Sequence, residues 1–245
     1  IIVHVNEGSD GTLNYVKENN LIHTFSDKNI GLCSATNRAA AKASTKFILY
    51  SHDDMYFCPG WDLELAEEIK KLKTNYYYIS GTMIEKSSGH LQLDCGNNYN
   101  DFDEDKLLSK YDYNKFFNHQ GSHWAPHLIH KDLWDKIGGF SEEFNPGIGS
   151  DPDLNMKLWK SGVRIFKGLD KFRVYHFGSI SLRKKKNLKR NKGTKTFLLK
   201  WGITPTFFVK YYLRGEVFEK GIIKSKKFDG PLGDPIKNIS YYLNL

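Results

Sequence analysis

The sequence predicts an α/β fold, a mainly parallel sheet flanked by helices. Three observations predict it. Short apolar runs alternate with helical spacings over the first 85 residues, the pattern of a sheet covered on both faces. The run Phe47-Ile48-Leu49-Tyr50 has the length of a buried strand. Ser51-His52-Asp53-Asp54 follows at once, which sets two carboxylates beyond a strand's carboxyl end, where open α/β sheets bind ligands.

The elements follow in order. Ile1-Ile2-Val3-His4-Val5 reads as a strand and Asn6 to Thr12 as a turn. Leu13 and Val16 mark a short helix. Ile22-His23-Thr24-Phe25 is a second strand. Leu32, Ala35, Ala39 and Ala43 fall near helical spacing, and small alanines let a helix lie close to a sheet. After Phe47–Tyr50, Pro59-Gly60 breaks the chain, and Trp61, Leu65, Ile69 and Leu72 share one helical face. Tyr76 to Ser80 is another strand. Residues 85–118 have no clear period and read as an irregular insertion over one face of the sheet. From 123 to 140 the chain turns apolar again. Ser150-Asp151-Pro152-Asp153 opens a helix that Gly162 stops, with Asp151 as the expected N-cap, since proline is tolerated at the first helical position. Val163–Phe166 and Phe172–His176 read as two strands. Trp61 and Trp134 occupy core positions. The tail from Thr196 is aromatic and moderately amphipathic.

A chain of 245 residues with 40% hydrophobic and 26% charged residues is long enough to bury a sizeable core. No apolar run approaches the ~20 residues that span a bilayer. The net charge of +8 is concentrated between Arg183 and Lys195 and suits anionic partners without choosing among them. No RNA- or DNA-binding motif accompanies it. Cys33, Cys58 and Cys95 lack metal-like spacing, and their odd number argues for a reducing compartment.

Paired carboxylates at a strand end suit a hard cation, and a cation neutralises a diphosphate. Side chains alternate along an extended segment, so His52 and Asp54 share one side and Asp53 faces the other. A polar strand end entering a turn is the plain alternative. For Asp151 the plain alternative is a helix cap.

Five pieces, in order, resemble the inverting family-2 glycosyltransferases of the GT-A fold over residues 1–182. They are Ile2–Thr12; Asn29-Ile30-Gly31 with Asn37; His52-Asp53-Asp54 with Pro59-Gly60-Trp61; Ile137-Gly138-Gly139-Phe140-Ser141-Glu142-Glu143-Phe144; and Gly149-Ser150-Asp151-Pro152-Asp153-Leu154, with Lys157 where the family often has Arg. The resemblance implies a GT-A-like catalytic domain over 1–182, with 183–245 as a basic loop and helical extension packed on the same domain. It implies metal-dependent, inverting transfer of a sugar from a nucleotide-diphosphate donor to an acceptor hydroxyl in glycan or polysaccharide synthesis. Asp151 is the implied catalytic base. Asp54 and His176 are implied ligands of Mn²⁺ or Mg²⁺. Asp53 is expected at the ribose and Asp10 near the nucleobase, with Asn29 and Asn37 also on the donor side. His52, Trp124 and Asp153 are expected beside the metal or in the acceptor region. A UDP-sugar and a glycan or lipid-linked acceptor are the expected partners, without nucleic acid. A cytoplasmic site with peripheral membrane contact through 183–195 is expected.

Two departures stand out. Ser150 replaces the first carboxylate of the family's usual Glu-Asp pair, and the family's first strand and helix would precede Ile1. They leave two rival readings open: a carbohydrate-binding or scaffolding relative, and a sugar-nucleotide pyrophosphorylase.

Overall fold

The computed structural model describes residues 1–178 and 192–213, and the backbone of Glu216 and Val217. The chain opens with strand β1 (Ile2–Asn6), helix α1 (Thr12–Glu18), strand β2 (Ile22–Ser26) and helix α2 (Leu32–Ala40). β1 and β2 pair in parallel, from Ile2 opposite Ile22 to Asn6 opposite Ser26, as a small sheet of their own. α2 buries Cys33, Ser34, Ala35 and Ala40, and these small residues let it sit against β1.

The main sheet begins with β3 (Phe47–Tyr50) and β4 (Met55–Phe57). After α3 (Trp61–Lys71) comes β5 (Tyr77–Glu85). The insertion holds β6 (Leu91–Gln92), α4 (Glu104–Lys110) and β7 (His119–Gln120). Next come β8 (His127–His130), α5 (Lys131–Ile137), a 3₁₀ turn (Glu142–Phe144), α6 (Ser150–Lys160) and β9 (Ile165–His176). α7 (Gly193–Trp201) and α8 (Pro205–Phe207) follow, α8 running on into a π-helical turn, Phe208–Leu213. β10 is Glu216–Val217. The strand order is β10-β7-β9-β5-β8-β3, with β4 paired to β9 and β6 to β5.

Four expectations need correction. First, the sheet is mixed rather than mainly parallel: β5 runs parallel to β9 and β6, but β8 is antiparallel to both β3 and β5. The alternation that suggested parallel strands ends near residue 85. Beyond it the chain returns along β5 in the opposite sense, and antiparallel neighbours need no crossover helix. Second, residues 85–118 contain α4, capped by Asp103, whose carboxylate accepts the Lys106 amide proton at 2.9 Å. Third, the two late strands are one. β9 pairs with β5 up to Gly168 opposite Ser80 and resumes at Arg173 opposite Thr82, so Leu169–Phe172 bulge out between two paired segments. Fourth, Gly149 at φ 87° is the N-cap of α6, and Asp151 lies inside the first turn.

Two apolar layers sandwich the sheet. One joins Tyr50, Tyr78, Trp134, Phe140, Leu154 and Trp159 to Phe197, Phe208 and Leu213, so the helices after residue 192 complete the same core as α6. The other places Trp61, Leu65 and Ile69 of α3 over Ile79, Phe172 and Val174. Burying one such side chain contributes ~1.5–3 kcal/mol. A buried ion pair, Lys167 Nζ to Glu68 Oε1 at 2.8 Å, ties β9 to α3. No helix among the described residues is long and apolar enough to cross a membrane. Residues 183–191 of the basic run lie outside the described residues.

Candidate active site

Three strand ends bring the polar residues together. β4 pairs with β9 so that Met55 faces His176, which brings Asp54, just before Met55, beside the His176 ring. The Phe177 amide donates to the Asp54 carbonyl at 3.0 Å and fixes this register. β5 ends next to β9, with Ile84 opposite Tyr175, which carries Glu85 to the same edge.

The geometry is that of a small donor cluster. His176 Nε2 lies 3.4 Å from Asp54 Oδ2, and His52 Nδ1 lies 4.0 Å from Asp54 Oδ1. One ligand atom from each of His52, Asp54 and His176 falls within 4.8 Å of the other two. Two ligands of one small divalent ion stand at most twice a bond length apart, about 4.4 Å. Side-chain adjustment of a few tenths of an ångström therefore closes the three around one cation. Imidazole and carboxylate together are an acceptable set for a first-row divalent metal. On the far side of its ring, His176 Nδ1–H donates to Glu85 Oε1 at 2.6 Å, and Ser88 donates to the other Glu85 oxygen. A carboxylate behind a histidine fixes the tautomer that leaves the opposite nitrogen as the ligand. Burial lowers the basicity of His176, but its hydrogen bonds to Asp54 and Glu85 outweigh that and raise its pKa. Burial lowers that of His52, with Asp54 opposing.

Asp151 stands in the first turn of α6, held by the Gly149 turn and by Ser150 Oγ, which donates to the Gly147 carbonyl at 2.7 Å. Burial lifts its carboxyl from 3.8 to about 7. Its neighbours are known by its charge: it raises the thiol of Cys33 and the phenols of Tyr50 and Tyr78, after burial has raised each more strongly. Tyr50 is the link between the two halves. It ends β3, two residues before His52, with its ring centroid 5.4 Å from that of His52. Its phenol feels Asp151 and, more weakly, Asp53.

The other expected residues fall elsewhere or serve the frame. Asp53 is exposed at the turn after β3. Asp10 Oδ1 accepts from the Thr12 amide at 3.0 Å, and Asn29 Oδ1 from the Gly31 amide at 2.9 Å, both within turns flanking the small sheet. Asn37 spends its amide on the fold: Nδ2 donates to the Phe140 carbonyl at 2.8 Å and Oδ1 accepts from the Phe140 amide at 2.9 Å. Asp153 is fully buried and accepts from Trp201 Nε1 at 2.8 Å while pairing with Lys200 Nζ at 2.9 Å, which anchors α7. Lys157 similarly holds the Gly139 carbonyl at 2.5 Å. Trp124 is half-buried, donates to the Gly81 carbonyl at 2.7 Å and packs its ring 4.3 Å from that of His90.

Sequence reasoning missed Glu85 and the role of Tyr50. Glu85 is hidden because the sequence pattern of its strand stops at Ser80, while the strand itself runs to Glu85. Extending that strand by five residues would have put a third carboxylate at a strand end. Tyr50 reads as part of an apolar run, which gives its hydroxyl no signal in the sequence.

The model of the family described as "Glycosyl transferase family 2" matches residues 1–134. No curated protein matches the sequence. Among solved structures, GalNAc-T7 with UDP, GalNAc and Mn²⁺ is similar at 14% identity and TM-score 0.56, over 86% of this chain and 43% of that one. TarS residues 1–349 from S. aureus is similar at 15% identity and TM-score 0.52, over 71% of this chain and 50% of that one. The chain spans about half the length of the solved structures it matches.

Proposed function

Because the chain belongs to glycosyl transferase family 2, we propose that it moves a sugar from a nucleotide-diphosphate donor to an acceptor hydroxyl with inversion, assisted by a divalent cation. The observation that carries this reading is the convergence of His52, Asp54 and His176 at the carboxyl edge of the sheet, with Glu85 braced behind His176. A fold alone does not assign an activity; this cluster and Asp151 supply the chemistry.

His52, Asp54 and His176 would hold the cation. When bound, it supplies positive charge against the diphosphate of the departing nucleotide. Two imidazoles in the set favour Mn²⁺ over Mg²⁺, which prefers oxygen ligands. The neighbour solved with UDP and Mn²⁺ supports a UDP-linked donor and this ion. Asp53, exposed beside the cluster, is assigned to the donor's ribose. Asp10 and Asn29 are assigned to the nucleoside end.

Asp151 takes the acceptor proton. The acceptor oxygen forms its bond to the anomeric carbon as the bond from that carbon to the diphosphate oxygen breaks on the opposite face. The proton passes to the Asp151 carboxylate, and the electron pair leaves with the nucleoside diphosphate. A carboxyl raised to about 7 suits this task, because a base whose pKa lies near the working pH is available unprotonated yet basic enough to accept. Burial sets this basicity, and Tyr50, Tyr78 and Cys33 lie near enough to feel the charge of Asp151.

The test is donor hydrolysis, screened over common nucleotide-sugars with Mn²⁺ or Mg²⁺. Release of nucleoside diphosphate that stops on chelation and in Asp54→Ala supports the reading. A protein that binds no nucleotide with either ion favours the scaffolding alternative.

A further inference from the structure

We infer that Gly193, the first residue of α7, is a positioning residue for Asp151: its bare backbone seats α7 directly on the turn that carries this carboxylate. The consequence for turnover rests on the role proposed for Asp151, whereas the contact itself does not.

Gly193 is buried and opens a regular helix. Alanine is the better helix former, and Gly193 does not take the positive φ that favours glycine. Contact is what keeps a side chain out. A methyl group built on Gly193 would overlap the Ile148 carbonyl, and one on Gly149 would lie 3.1 Å from the Gly193 carbonyl. The two backbones therefore touch at the N-cap of α6, two residues before Asp151.

The turn cannot back away, because α2 holds its other side. The Leu32 amide donates to the Pro146 carbonyl at 3.2 Å, and the Cys33 amide donates to Asn145 Oδ1 at 3.0 Å. Nor is α7 free to retreat. At its far end Lys200 Nζ reaches Glu143 Oε1 at 2.7 Å and Asp153 Oδ1 at 2.9 Å, and Trp201 Nε1 donates to the same Asp153 oxygen at 2.8 Å. α7 thus grips the first turn of α6 on both sides of Asp151, at Ile148-Gly149 and at Asp153. A close-packed interior transmits such a displacement instead of absorbing it. A side chain at position 193 moves either the turn or α7, and each movement shifts the residues that flank Asp151. The titratable groups that feel Asp151 are the Cys33 thiol of α2 and the phenols of Tyr50 of β3 and Tyr78 of β5. Burial keeps all three protonated at neutral pH, so none adds a charge of its own there.

The test compares Gly193→Ala with the parent protein and with Thr194→Ala, an exposed neighbour on the same helix. Donor hydrolysis with Mn²⁺ is followed across pH, and Mn²⁺ affinity is read by calorimetry. In Gly193→Ala, kcat should fall by about tenfold to a hundredfold, while KM for the nucleotide-sugar and Mn²⁺ affinity stay at parent values. The acid limb should move to lower pH as water reaches the carboxyl. Thr194→Ala should behave as the parent. A second readout needs no turnover: Asp151→Asn is introduced into the parent and into the Gly193→Ala background, and urea unfolding is measured at pH 4 and pH 8. The pH-dependent gap between Asp151 and Asp151→Asn should shrink by about half or more in that background. Where Gly193→Ala does not fold, Trp201→Phe, which keeps a ring but drops the bond to Asp153, should produce a smaller shift in the same sense. An unchanged gap together with a parent-like acid limb overturns the inference, and so does an equal loss of kcat, donor binding and Mn²⁺ affinity with the acid limb unmoved. A parent protein without hydrolysis counts against the transferase reading, and the unfolding gap then decides for or against Gly193.

Discussion

Replacing Asp151 by asparagine separates what this carboxyl does for stability from what it does for chemistry. Burial lifts it from 3.8 to about 7, while in the unfolded chain it titrates near its ordinary value. Between about pH 4 and pH 7 the folded protein keeps a proton that the unfolded chain has lost. Stability therefore falls as pH rises across that window and stays lower above it. A gap of about three pH units, at 1.36 kcal/mol each, corresponds to at most about 4 kcal/mol. Asp151 retains partial contact with solvent, so a measured effect of about 2 kcal/mol is expected. Asparagine has nearly the same shape and no charge, and Asp151 does not cap its helix, so no capping bond is lost. Asp151→Asn should nearly match the parent protein near pH 4 and exceed it by about 2 kcal/mol at pH 8. Urea unfolding of both proteins at the two pH values measures this, and subtracting one from the other removes every other titrating group. Transfer should drop by at least about 10²-fold in the variant, and in the parent it should decline below about pH 7 as the base protonates. A stability difference independent of pH refutes the desolvated carboxyl. Turnover at the parent rate refutes the base.

Two further outcomes follow from the same geometry. Glu85→Gln keeps the size of the residue but removes the charge behind His176, so Mn²⁺ affinity measured by calorimetry should weaken by about tenfold to a hundredfold, and unchanged affinity would remove Glu85 from the site. Lys167→Ala strands the Glu68 carboxylate in the interior and should cost about 3–5 kcal/mol in chemical unfolding, most of it recovered in Lys167→Met/Glu68→Leu; a loss under 1 kcal/mol, on the order of a surface pair, would show that water reaches the pair.

The site was legible in the sequence wherever chemistry and strand ends coincide. Asp54 and His176 follow or end apolar runs, and their residue types suggest a metal; His52 is expected only beside it, and the fold brings its ring into the cluster. The first four elements were equally plain, because each has one periodicity and a turn to close it. What could not be read is what depends on partners distant in the chain. The direction of β8 is set by where the insertion returns it, not by His127–His130 themselves. The Asn37 amide has the composition of a ligand contact, yet the fold delivers Phe140 to it across 103 residues. Asp153 looks like a first-turn helix acid, and only the arrival of Lys200 and Trp201 shows it to be the anchor of α7. Glu85 waited on the true end of its strand, which pairing with β9 extends past Ser80.

The central claim is that two imidazoles and one carboxylate from the ends of β3 and β9 share a single cation. Pulsed electron paramagnetic resonance on the protein with Mn²⁺ measures it most directly. The account predicts nitrogen couplings from two histidine rings, one vanishing in His52→Ala and the other in His176→Ala, with Mn²⁺ binding abolished in Asp54→Ala. A bound ion with no nitrogen coupling, or one indifferent to all three substitutions, would contradict it.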